Sequence, residues 1–173
     1  IEAVRETIGA RTGLMLNANH GFDCLEAIEL GRRAAKYDIG WFEEPVVPDE
    51  LQSYEEVKAR QPIPVAGGEC EFTRWGFREV LTRRAIDIIQ PDTCAAGGLT
   101  ECKKIADMAT AFGVRYVPHV WGTGIGLAAA LQLLAVLPNT PPRHTPLEPM
   151  LEFDRSEHPF RQAVMTREIE HEA

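Results

Sequence analysis

Six polar residues recur along the chain at nearly even intervals, each closing a short apolar run: Asn17, Glu43, Glu69, Asp92, His119 and Glu148. Their separations are 26, 26, 23, 27 and 29 residues. Three positions with oxygen-donor side chains in succession, followed by an acid and a histidine, are what a metal site beside a base requires. Hard divalent cations such as Mg²⁺ take oxygen ligands and keep positions open for water or substrate. Histidine is a base near neutral pH, and a neighbouring carboxylate fixes its tautomer and raises its basicity.

The elements that must carry these groups alternate in type. Strand candidates fall at residues 14–16, 39–42, 63–66, 86–90, 115–117 and 145–147, and helix-period segments at 24–37, 51–60, 73–83, 99–112 and 124–137. Strands alternating with helices of this length predict βαβ units and a parallel sheet. A β/α barrel gathers functional groups at the C-terminal ends of its strands, whereas a doubly wound sheet concentrates them at one switch point. Six decorated strands in a row therefore predict an α/β fold of the TIM-barrel type, with residues 1–173 as one domain. Six strands do not close an eight-stranded barrel. The half-helix at residues 1–9 places the two missing strands upstream, so a partial (β/α)8 barrel running from the third to the eighth strand is expected. The last helix segment is apolar nearly all round and is expected to be heavily buried.

Composition excludes several function classes. Hydrophobic residues make up 45% and charged residues 25%, as in ordinary globular domains. A net charge of −8 argues against nucleic acid or an anionic membrane as partner. The longest apolar stretch, residues 125–137, is broken by Gln132 and too short to span a bilayer. Cys24, Cys70, Cys94 and Cys102 form no CxxC pair, which fits a reducing, cytoplasmic setting.

The stretches LMLNAN, WFEEP, AGGE, IIQPD, GGLTE and PHVWGT resemble the barrel domain of the mandelate racemase/muconate lactonizing group of the enolase superfamily. The resemblance implies Mg²⁺ on Asn17, Glu43 and Glu69, with Glu44 behind them. It implies a His119–Asp92 dyad as base, and Glu148 as the carboxylate that hydrogen-bonds the enolate oxygen. Lys36, Lys58, Lys103 and Lys104 all fall on predicted helices, so no lysine ends the sixth strand and the mandelate racemase branch is favoured. One position departs from the family pattern: Asn17 stands where Asp is usual, which removes a ligand charge and predicts weaker metal binding. Asn19, His20, Arg74 and Trp121 are candidate substrate contacts, against the alternative of exposed loop or helix-surface polarity.

The implied chemistry is removal of the proton α to a carboxylate through an enediolate. Dehydration of an acid sugar to a 2-keto-3-deoxy acid comes first, and racemisation or epimerisation of a 2-hydroxy acid second, because it normally needs a second base. The implied assembly is a homo-oligomer. A reading of another class is an inactive barrel fragment, or a subunit completed by another chain.

Overall fold

The computed structural model describes residues 1–138, 141–167 and 169. They form two compact units: Ile1–Gly68 with Glu79–Ile88, and Glu69–Arg78 with the described part of Ile89–Ala173.

In the first unit, α1 (Glu2–Ile8) ends at Gly9, whose φ of 72° suits a residue without Cβ. The Arg5 guanidinium ties this helix down, donating to the carbonyls of Gly9, Thr12, Tyr37 and Asp38. Strands β1 (Leu14–Asn17), β2 (Ile39–Glu43) and β3 (Val65–Gly67) pair in parallel, with Asn17 beside Glu43 and Glu43 beside Ala66. The shared register brings the C-terminal ends of β1 and β2 level, which is why residues 26 apart in sequence become neighbours. Helix α2 (Cys24–Ala34) starts with a capping box of Asp23 and Glu26, and its buried residues Ala27, Ile28, Gly31 and Ala34 form one face. Helix α3 (Leu51–Arg60) buries Tyr54 and Val57. Phe42 is fully buried, and burying a side chain of that size stabilises by roughly 2–3 kcal/mol. Asp87 closes this unit: its N–H donates to Val65 and its carboxylate accepts from the Val65 N–H.

Two elements have residues in both units, α4 (Thr73–Arg83) and β4 (Ile88–Ile89). In the second unit Val117 N–H donates to Ile89 and His119 N–H to Pro91, with Asp92 and His119 forming a parallel bridge. Helix α5 (Gly98–Phe112) buries Cys102, Ile105, Ala106 and Ala109 and stops at Gly113 with φ 69°. Strand β5 (Arg115–Tyr116) leads to α6 (Gly124–Leu134) and then α7 (Pro159–Ala163).

Two expectations change. Residues 145–147 are not a strand: Pro141, Pro142, Pro146 and Pro149 lack the N–H groups a ladder needs. Helix α6 is buried on one stripe only, Gly124, Leu127, Ala130 and Leu133, while Ile125 stands exposed. Among the described residues no helix is long and apolar enough to cross a membrane.

Candidate active site

In the second unit, Pro91 ends the β4 extension and the Asp92 side chain folds back on its own turn. Its Oδ1 accepts the N–H groups of Cys94 and Ala95 at 2.8 and 2.9 Å. That leaves Oδ2 for His119, whose Nδ1 lies 2.8 Å away. With Nδ1 engaged, Nε2 becomes the working nitrogen. It lies 3.2 Å from Glu69 Oε2 and 3.7 Å from Glu152 Oε2.

Three carboxylates around one imidazole set its charge. Burial pulls the His119 pKa down. The Asp92 hydrogen bond and the charges of Glu152, Glu69 and Asp92 outweigh this, and the pKa is pushed up to about 9. Burial would raise the Asp92 carboxyl, but hydrogen bonds from His119, Ala95 and Cys94 hold it below the usual range. As it stands the ring is protonated at neutral pH and able to give a proton. Charge withdrawn from Glu69 or Glu152 favours the neutral form that takes one.

In the first unit, residues 41 and 43 of β2 share a face because side chains alternate along a strand. Trp41 Nε1–H donates to Glu43 Oε2 at 2.9 Å, and Asn17 Nδ2–H donates to Glu43 Oε1 at 2.9 Å. The Asn17 amide orientation follows from its second contact, since Oδ1 accepts the Asn19 N–H at 2.8 Å. Exchanging O and N would turn both contacts repulsive. Asn19, His20 and Glu44 all have positive φ, at 46°, 62° and 44°, so strained backbone clusters beside Glu43. Buried Glu44 lies 3.2 Å from His20 Nε2, while His20 Nδ1 lies 3.4 Å from the Val46 carbonyl.

Glu148 lies away from the imidazole's ion-pair partners. Its side chain is exposed, its carbonyl accepts from Arg115, and it is not among the ion-pair partners of His119. Glu152 is there instead, held by the Val120 N–H donating to Oε2 at 3.0 Å. Sequence reasoning passed over Glu152, although its setting between Leu151 and Phe153 repeats the apolar approach that marks Glu43. Arg74 is engaged with Glu101, through the guanidinium at 2.6 Å and the backbone N–H at 2.9 Å, and stacks over Trp75. Trp121 and Asn19 are exposed, and His20 is tied to Glu44.

Glu43 and Glu69 present the carboxylate oxygens that a hard cation takes, and Asn17 presents a neutral amide oxygen. Each Glu43 oxygen accepts one N–H, and carboxylate and amide oxygens are the donor type Mg²⁺ takes, here with less negative charge than three carboxylates supply.

Residues 1–169 match the family described as Enolase C-terminal domain-like. Over 170 residues the chain is 55% identical to a D-galactarolactone cycloisomerase of Agrobacterium fabrum, covering 98% of this chain and 45% of the relative. It is 38% identical over 141 residues to an arabinonate dehydratase of Saccharolobus solfataricus, covering 82% of this chain and 38% of that one. The crystal structure of the 3,6-anhydro-D-galactonate cycloisomerase from Zobellia galactanivorans superposes with a TM-score of 0.86 at 45% identity, over 94% of this chain and 44% of that one. The chain thus spans less than half the length of these relatives.

Proposed function

The chain belongs to the Enolase C-terminal domain-like family, and from that premise we propose that it supplies the base of an enzyme that eliminates a β oxygen from an acid sugar. The observation that carries this reading is the His119 imidazole, oriented at Nδ1 by Asp92 and flanked at Nε2 by Glu69 and Glu152.

Nε2 of neutral His119 takes the proton α to the substrate carboxylate, and the C–H electron pair moves into the carboxylate to give an enediolate. Asp92 keeps Nδ1–H in place and stabilises the imidazolium that forms. Glu152, when protonated, donates a hydrogen bond to the enediolate oxygen. Asn17, Glu43 and Glu69 are the residues that would hold Mg²⁺, which supplies positive charge where the carboxylate gains negative charge. The electron pair then returns to carbon, a C=C bond forms, and the β C–O bond breaks.

Two leaving oxygens fit this chemistry. A hydroxyl leaves as water in dehydration, as the names of the arabinonate, L-rhamnonate and D-xylonate dehydratases among the relatives indicate. A ring oxygen leaves in cycloisomerisation, and the cycloisomerases at 55% and 45% identity favour that version here. The test is product analysis by NMR of the Mg²⁺-supplemented protein with acid-sugar lactones, anhydro acids and open-chain aldonates. Ring-opened or dehydrated keto acids are expected; no turnover of any of them sinks the reading.

A further inference from the structure

Next to the His119 cluster, a cavity of about 370 Å³ lies between the loop after β5, the start of α6 and residues 152–161. Its wall holds four charged side chains: Glu152, Asp154, Arg155 and Arg161. Arg161 pairs with Asp154 and also donates to the Asp154 backbone carbonyl, so those two cancel. Glu152 faces His119. Arg155 remains: among the described residues it makes no ion pair, and its guanidinium stacks 5.7 Å from the Phe153 ring centroid. A guanidinium braced on an aromatic face, with its donors uncommitted, suits a planar bidentate anion.

On the proposed reading of a lactone substrate, the chemistry identifies that anion. When the β oxygen belongs to a lactone, breaking its C–O bond leaves the electron pair on an oxygen already attached to a carbonyl, so the leaving group is a carboxylate. We propose that Arg155 receives this carboxylate, and that it thereby selects lactones of sugar diacids over open-chain acids. One C–H bond and one ring C–O bond break and one C=C bond forms; as the enol becomes a ketone, carbon takes the proton held by His119 and the enol O–H proton is released, balancing the charge of the new carboxylate. No water or oxidant enters, and the product is an isomer of the substrate. An open-chain aldonate expels hydroxide, which needs a proton and gains little from a guanidinium.

The test uses the Mg²⁺-supplemented protein carrying this chain and compares kcat/KM for a sugar-diacid lactone and an open-chain aldonate. Removing one charge-stabilising donor typically costs about 100-fold. Arg155→Gln is therefore expected to lower the lactone-to-aldonate ratio by about that factor, and Arg155→Lys by about tenfold. Should Arg155→Gln not fold, the Arg155→Lys ratio decides alone. An unchanged ratio in the folded variant overturns the Arg155 assignment while elimination stands. Wild-type protein that turns over neither compound overturns the elimination reading, and the Arg155 assignment with it.

Discussion

Glu152 stands 3.7 Å from His119, Oε2 to Nε2, and the Val120 N–H holds it there. The acid that shares the imidazole thus comes from the segment after α6, four residues beyond the strand-end position where even spacing places it.

Glu152→Gln removes both a charge beside His119 and a proton donor. The rate of α-proton removal is expected to fall by about 10²-fold, whereas exposed Glu148→Gln changes it by no more than about twofold. Solvent exchange of the α-hydrogen, followed by NMR, separates the two. Equal losses would return Glu148 to the chemistry.

The dyad makes stability depend on pH at both ends. In the metal-free chain the folded His119 pKa of about 9 exceeds the ordinary 6.5, so its contribution is complete below pH 6.5 and is lost as pH rises through 9. The contribution is on the order of 3 kcal/mol. Asp92 is depressed below 3.8, so its contribution is present above that value and is lost as pH falls through the lower, folded pKa. Thermal midpoints of the metal-free protein should decline between pH 7 and 10, and His119→Gln should flatten that decline. An unchanged alkaline limb contradicts the ion-paired imidazole.

Gly31 of α2 shows how tightly the first unit is packed. A Cβ there meets Gln61 Oε1 at 2.6 Å. Gln61 cannot swing aside without breaking its two bonds to Ile63, at 2.6 and 2.8 Å. Alanine improves helix propensity by about 1 kcal/mol, but overpacking costs typically 1–3 kcal/mol. Gly31→Ala should therefore lower the urea midpoint; a raised midpoint would mean the contact relaxes.

Asn17 donates to Glu43, so Asn17→Asp sets two carboxylates face to face at about the present 2.9 Å. The metal-free variant should melt lower, and calorimetric titration should show Mg²⁺ bound about tenfold more tightly, since a charged oxygen ligand replaces a neutral one. Unchanged affinity would remove Asn17 from the ligands.

Much of the scaffold is legible in sequence because apolar periodicity and strand-end polar groups report local geometry. Helices α3 and α4 have the predicted limits, residues 51–60 and 73–83. The pairing of Asp92 with His119 follows from one strand register, which regular spacing can anticipate. Register also explains Asn17 beside Glu43, but not the direction of the hydrogen bond, which depends on the left-handed backbone at Asn19. The region after α6 resists reading because its prolines remove the ladder on which counting relies. Glu148 then looks like a strand end and Glu152 does not. Arg74 reads as a free cation until Glu101, 27 residues on, is brought against it.

The central claim, that His119 removes the α-proton, is tested most directly by deuterium exchange. The Mg²⁺-supplemented protein and its His119→Asn variant are incubated in D₂O with an acid-sugar lactone or aldonate, and the α-position is followed by NMR. Wild-type protein should incorporate deuterium or form product, with the variant slower by at least about 10²-fold. Exchange at the wild-type rate in the variant would place the base elsewhere and contradict the account.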